Sequence, residues 1–459
     1  MRRHMPVLRF QPSGVRGACA AMVAACSLIH AASISAAMPA FQRSTLSNGL
    51  VLLHAEEHSL PIVNLELLVD AGSSSDPVGQ EGVAHLTARA LLLGGSRYTL
   101  SELNEELDRM GAVLSTSCGK DFATVSLKVL SKDLGKGLDL FMDALTHPRF
   151  PRKELRREVS RIRAALQAAE QRPGEVAERV FAETLFAGGP YGHAVEGTDG
   201  SLRNLSRAKV RRFYRSHYVP ARCALAVVGD ISADELKRAV VPLLEQWSAR
   251  GGSVPGEPPA PSGDRAEAGE KTVRIDRDLS QTHIVLGHLG LRRDNPDFYA
   301  VSVMNYILGG GGFASRLLTE IRNEKGLAYS VSSSFFAGKH QGLFQIVLQT
   351  KNASAREAVG IALRQMERIR GECVTDAELE GAKRYLTGSF PLRIDTSAKL
   401  ANFLVQMEFY GLGLDYPQRY PALIDAVSKE DVLRVARAYL HPDACTLVVV
   451  GNLEEAGMQ

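Results

Sequence analysis

A twelve-residue stretch in the middle of the chain returns near its end, and this repeat constrains the fold more than any other feature. Pro220-Ala221-Arg222-Cys223-Ala224-Leu225-Ala226-Val227-Val228-Gly229-Asp230-Ile231 is followed, 222 residues later, by Pro442-Asp443-Ala444-Cys445-Thr446-Leu447-Val448-Val449-Val450-Gly451-Asn452-Leu453. Each copy follows a polar, amphipathic stretch (210–218 and 430–440), so each reads as helix, proline turn, buried strand and glycine turn. A Pro, a Cys, Val-Val-Gly and an apolar end shared in one register point to a duplicated lobe rather than to two similar strands.

Between the copies, residues 250–271 include Gly-Gly-Ser-Val-Pro-Gly-Glu-Pro-Pro-Ala-Pro-Ser-Gly. That composition buries too little apolar surface to fold, and its prolines keep it extended. It reads as an interlobe linker, placing lobe one at 41–249 and lobe two at 272–459. In lobe one, 49–72 alternates apolar and polar residues as two strands around Leu60-Pro61. Residues 101–110 and 153–169 read as helices, the second with Leu155, Val159, Ile162 and Leu166 on one stripe. Residues 122–130 alternate again, with Val125, Leu127 and Val129 on one face. The expected fold class is α+β: two homologous lobes, each a mixed or antiparallel sheet with helices packed on one side.

The first 37 residues read as a secretory signal peptide. Arg2, Arg3, Arg9 and Arg16 precede a small-residue apolar run, 18–34, and Ser35-Ala36-Ala37 offers a small-x-small cleavage site. Val23-Ala24-Ala25-Cys26 gives the alternative of lipidation at Cys26. The run is too short and too poor in Leu and Ile for a stable membrane span. The formal charge of +3 includes those four arginines, so the mature chain is close to neutral and bulk charge makes no case for nucleic acid or an anionic membrane. Cys118, Cys223, Cys373 and Cys445 form no C-x-x-C pair and read as buried thiols.

Residues 82–95, Gly-Val-Ala-His-Leu-Thr-Ala-Arg-Ala-Leu-Leu-Leu-Gly-Gly, read as one helix with a glycine stop. Here the sequence resembles the pitrilysin/insulinase family of inverted zinc peptidases, which includes the mitochondrial processing peptidases. The family's helix carries H-x-x-E-H: two imidazoles one turn apart grip zinc and the Glu activates its water. Laid on that pattern, His85 keeps the first His position, Ala88 stands at the general base and Arg89 at the second imidazole. The third ligand, a Glu on a later helix, falls at Ala165. Alanine has no basic group and a guanidinium repels a dication, so no metal is assigned to this chain.

Pro190-Tyr191-Gly192-His193, followed by Glu196-Gly197-Thr198, resembles the family's H-P-Y-G…G-T segment. Leu114-Ser115 stands where active members show Asn-Ala on the substrate-binding strand. Lobe two holds the fullest likeness, Leu308-Gly309-Gly310-Gly311-Gly312-Phe313-Ala314-Ser315-Arg316-Leu317 through Ile321-Arg322 to Gly326-Leu327-Ala328-Tyr329-Ser330-Val331. The resemblance implies that Arg322 and Tyr329 are the pair that reaches over a zinc site to hold the substrate backbone and the oxyanion. Gly309, Gly310, Gly311 and Gly312 are implied substrate contacts. The run lacks the Lys-Ser/Thr of a phosphate loop, and a flexible turn before a helix starting near Ala314 also accounts for it.

The resemblance implies a non-catalytic subunit of a heteromeric zinc peptidase: inactive alone, contributing Arg322 and Tyr329 to metalloendopeptidase activity in a partner. It carries no cofactor itself, with zinc only in the partner. Its expected partners are a homologous subunit bearing H-x-x-E-H and unfolded peptides, in the bacterial periplasm. Two other readings remain: an active metallopeptidase with a non-standard zinc site, and a structural or peptide-binding member of the family.

Overall fold

The computed structural model describes residues 39–248 and 271–459. The leader, Cys26 and residues 250–270 of the linker stretch lie outside the described residues, whereas Lys271 opens a strand.

Eleven strands among the described residues form two sheets. The first runs β1-β2-β6-β3-β5-β4 and the second β7-β11-β8-β10-β9. In the first, β2 (Val51–Glu56) pairs parallel to β6 (Cys223–Gly229), and β3 (Ile62–Val69), β5 (Ala123–Leu130) and β4 (Val113–Cys118) continue antiparallel. In the second, β7 (Lys271–Asp276) pairs parallel to β11 (Thr446–Gly451), and β8 (Gln281–Leu289), β10 (Leu343–Lys351) and β9 (Ala328–Phe336) continue antiparallel. The two orders are the same, with β1 (Phe41–Thr45) added at one edge of the first. The repeated sequence supplies β6 and β11, the second strand of each common pattern.

The central strands bury both of their faces, whereas the edge strands β1, β4 and β7 are largely exposed. On β3 and β6, Val63, Leu65, Leu67, Leu225 and Val227 join the lobe-one core, which includes Leu155 and Ile162 of the helix Arg152–Ala169. The opposite face presents Leu68, Ala224, Ala226 and Val228, also buried, and is covered by the lobe-two helix Ser397–Phe409. Small residues there let the helix approach closely. The exchange is reciprocal. Val176, Ala177, Phe181 and Leu185 of the lobe-one helix Pro173–Leu185 pack on Val285, Val448 and Val450 of the second sheet. Helices of each sheet's own lobe thus take one side, as expected, and the other lobe lends a helix to the second side. Burying both faces explains the near-continuous apolar runs of β6 and β11.

Polar contacts lock the exchange. The Asp121 carboxylate, 6% exposed, accepts from the Tyr191 hydroxyl, from the Lys339 N–H at 2.9 Å and from the Tyr410 hydroxyl at 3.1 Å. The His340 N–H donates to the Tyr191 oxygen at 3.0 Å. Arg43 forks onto Glu408 at 2.7 and 2.8 Å. Cys223 and Cys445 are buried and Cys118 partly so, but Cys373 is exposed; its place just after the helix Ala355–Gly371 takes it out of the core.

Candidate functional site

The segment around His85 is shorter as a helix than its composition suggests: Val83–Ala90 is helical and Leu91–Leu93 tightens into a final turn. Its start is fixed by Asp76, whose carboxylate accepts the N–H groups of Gly82 at 2.6 Å and Ala84 at 2.8 Å. Gly82 has φ 89°, and a Cβ there would lie 2.4 Å from the Glu196 carbonyl oxygen, so no other residue fits. The Glu196-Gly197-Thr198 segment is thereby pressed against the helix, and the Ser201 hydroxyl donates to the Glu81 carbonyl at 2.8 Å.

His85, Ala88 and Arg89 do share this helix, as the sequence pattern places them. Ala88 is fully buried in the core. The Arg89 guanidinium bonds to Glu158, a carboxylate only 6% exposed on the helix Arg152–Ala169, and Arg161 closes on the same carboxylate at 2.7 Å. A fixed cation of the protein's own is thus paired with a buried acid beside His85. Burial lowers the His85 imidazole below its ordinary value; Arg89 adds to this, and Glu196 and Glu158 oppose it. Its Nδ1 is buried with no hydrogen-bond partner among the described residues.

Ala165 lies seven residues beyond Glu158, about 10 Å along the same helix. It is exposed at the wall of a cavity of about 570 Å³ shared with Lys120, Arg163, Glu178, Glu183 and Glu196. Most charges around that cavity are already paired: Arg163 with Asp199 at 2.6 Å, Arg179 with Glu170 at 2.7 Å and with Glu183 at 3.1 Å. His54 and His58 bond to the adjacent residues Ile231 and Asp230, and His193 to the Ala194 carbonyl. No three His, Cys, Asp or Glu side chains among the described residues are grouped to hold a metal. The sequence reading missed Glu158. Its signal was there: at i+3 from Leu155 and i−4 from Ile162, an acid sits on the core stripe of a helix, where it needs a cation.

In lobe two, Arg322 and Tyr329 do come together. The guanidinium carbon of Arg322 lies 4.8 Å from the Tyr329 ring centroid and 5.0 Å from that of Phe313. Tyr329 is 81% exposed and Phe313 69%. Arg322 is half-buried, makes no ion pair among the described residues, and rests its guanidinium against these two exposed rings. None of the three lines the cavity beside Ala165. Phe313 is the second residue the sequence reading passed over, although an aromatic directly after four glycines is an unusual choice for an exposed loop.

The glycine run is more ordered than a flexible turn. Residues Tyr306–Gly310 form a wide helical turn, and the following helix starts at Arg316 rather than near Ala314. Gly309 is buried: a Cβ there would lie 2.5 Å from the Ser333 Oγ and 2.7 Å from the Leu317 Cδ1. Of the four glycines, Gly310 and Gly312 are exposed and Gly311 partly so. Arg316 anchors the loop by forking onto Glu378 at 2.6 and 3.0 Å. Leu114 and Ser115 lie on β4, the edge strand of the first sheet.

Two sheets of one topology, joined by exchanged helices, make a duplicated scaffold whose first copy has the Arg89–Glu158 ion pair beside His85. Residues 51–199 match the family model for insulinase (peptidase family M16), and residues 204–386 match that for the peptidase M16 inactive domain. The chain is 28% identical over 422 residues to an uncharacterized zinc protease of Streptomyces coelicolor, covering 90% of each. It is 24% identical over 429 residues to the probable mitochondrial-processing peptidase subunit beta of Arabidopsis thaliana, covering 91% of this chain and 79% of that one. A solved structure of a peptidase M16 inactive domain from Pseudomonas fluorescens superposes with a TM-score of 0.83 at 29% identity, over 90% of this chain and 98% of that one. A protease from Helicobacter pylori shares the fold at a TM-score of 0.82 and 19% identity, over 90% of this chain and all of the other. The chain belongs to peptidase family M16, the pitrilysin/insulinase family, as a member without the H-x-x-E-H motif.

Proposed function

We propose that this chain is the non-catalytic subunit of a heteromeric zinc peptidase and presents Arg322 and Tyr329 to the H-x-x-E-H site of a homologous partner. One contrast carries the reading. The cation beside His85 is Arg89, already satisfied by Glu158, whereas the Arg322 guanidinium has no acidic partner among the described residues and rests against two exposed rings. In a partner's site, Arg322 would donate to peptide carbonyl oxygens and the Tyr329 phenol to the tetrahedral oxygen. Gly310, Gly311 and Gly312 lie in the same loop as Phe313, and the peptide adds as a strand to the edge at β9. Zinc belongs to the partner and this chain carries no cofactor. Relatives named as subunit beta of a processing peptidase support an enzyme of more than one chain. The leader at 1–37 takes the protein to the periplasm, with lipidation at Cys26 as the alternative.

The test is to purify the chain with an H-x-x-E-H homologue from the same genome. Arg322→Ala and Tyr329→Phe are expected to lower peptide turnover sharply while the complex still forms. Undiminished turnover in both variants overturns the proposal.

A further inference from the structure

Five arginines from two helices line one groove in lobe one, away from both sites described above. Arg152 opens the helix Arg152–Ala169, and Arg207, Arg211, Arg212 and Arg215 run along the helix Arg207–His217. With Ala208 and Ser216 they line a cavity of about 550 Å³. None of these residues lines the cavity beside Ala165.

The groove is unbalanced by the rules that govern such helices. Arg207, Arg211 and Arg215 are spaced i, i+4, i+8, so like charges stack on successive turns, which weakens a helix. The first turn of Arg207–His217 holds no acid, although the positive end of a helix favours one. The acid in the first turn of the other helix, Glu154, is taken by Arg157 at 3.1 Å. Arg152, Arg211, Arg212 and Arg215 are exposed and make no ion pair or side-chain hydrogen bond among the described residues. Arg207 alone is anchored, donating to the carbonyl oxygens of Phe150 at 2.8 Å and Arg149 at 2.7 Å. Burial lowers its pKa below the ordinary value, with the charges of Arg211 and Arg152 adding to the effect.

The lining also says which anion fits. It offers no aromatic ring to stack a base and no apolar side chain beyond Ala208 for a hydrocarbon tail. Guanidinium groups are planar forks that grip phosphate through paired N–H donors. The ladder from Arg207 to Arg215 spans about 12 Å with one guanidinium per turn, room for several phosphates in a row. We propose that this groove binds a ligand carrying clustered phosphate groups, either a soluble polyphosphate or the headgroups of an anionic phospholipid surface. A mature chain near neutrality does not speak against this, because net charge is silent about where charges gather.

The experiment uses the full chain at about 0.15 M salt with two probes: tripolyphosphate by calorimetry, and vesicles of phosphatidylglycerol or phosphatidylcholine by flotation. The groove variant is Arg211→Ser/Arg212→Ser/Arg215→Ser; the control, Lys132→Ser/Lys351→Ser/Arg384→Ser, removes the same charge from exposed positions elsewhere. The wild type is expected to bind, the groove variant at least tenfold more weakly, and the control like the wild type. The groove variant, relieved of repulsion, should melt no lower than the wild type without ligand and gain nothing from tripolyphosphate. Arginine-dependent flotation with phosphatidylglycerol alone assigns the phosphates to a membrane, and tripolyphosphate binding without flotation assigns a soluble ligand. Binding of neither probe by the wild type, equal loss in the control, or undiminished binding in the groove variant overturns the proposal.

Discussion

The guanidinium of Arg322 stacks on the ring of Tyr329 at 4.8 Å, so the two residues the family pattern sets seven apart form one physical unit. Helix end and strand start are joined by Gly326, and both side chains reach the same exposed surface. Phe313 adds a second ring contact at 5.0 Å, so in the proposed role Arg322 would be held in place before a peptide arrives. Preorganised donors stabilise developing charge without reorganising in the reaction.

For the proposed two-chain enzyme this gives a graded prediction. Tyr329→Phe keeps the ring and removes only the phenol donor, so kcat should fall by roughly 10²–10³ with KM little changed. Phe313→Leu removes one of the two ring contacts of Arg322 and should raise KM more than it lowers kcat. Because both residues are largely exposed, thermal melting of the isolated chain should be unchanged. Steady-state kinetics with a fluorogenic peptide separate the two effects.

The pairing of Arg89 with Glu158 is expected to be a stability element. Arg89→Ala leaves the Glu158 carboxylate to Arg161 alone, at 2.7 Å, so the loss should fall below the about 3–5 kcal/mol that stranding a buried charge costs. Arg89→Met/Glu158→Leu together should recover most of that loss. Urea unfolding of the three proteins checks it; a single and a double variant of equal stability would remove the ion pair from the account.

Asp121 should matter to the union of the lobes. Its carboxylate takes the Tyr191 and Tyr410 hydroxyls and the Lys339 N–H. Asp121→Ala strands three donors in a buried place, each costing about 1–3 kcal/mol when unsatisfied. Tyr410→Phe removes one bond and should cost about 1 kcal/mol. Denaturant midpoints give both numbers, and near-equal losses would show that the other two donors find water.

Glu378 gives the chain a pH-dependent tie. Burial alone would raise its carboxyl, but the Arg316 fork and the Thr375 N–H override that and hold it at about 2, against an ordinary 4.5. Between those values the unfolded chain binds the extra proton, so stability rises with pH through the window and is lost as pH falls through it. Glu378→Gln should therefore be less stable than the wild type at pH 6, and the gap should close as pH drops toward 2. A gap that stays constant would assign the effect to the Thr375 cap rather than to the charge.

The sequence by itself determined the duplication, the family and the absence of H-x-x-E-H from the helix at His85. Those features are local: a strand motif repeated in register, Ala88 and Arg89 at fixed spacing from His85, Arg322 and Tyr329 in one continuous segment. It also marked β2, β3, β5 and the long helix through period-2 and period-3.6 patterns, because one-sided burial writes itself into those patterns. Only the tertiary structure decided what Arg89 does, which lobe the helices Pro173–Leu185 and Ser397–Phe409 cover, and that Phe313 braces Arg322. It also brought Arg152 beside the ladder on Arg207–His217. Each of these joins side chains distant in the chain or separated by a turn, and periodicity reports which face of an element is buried but not against what.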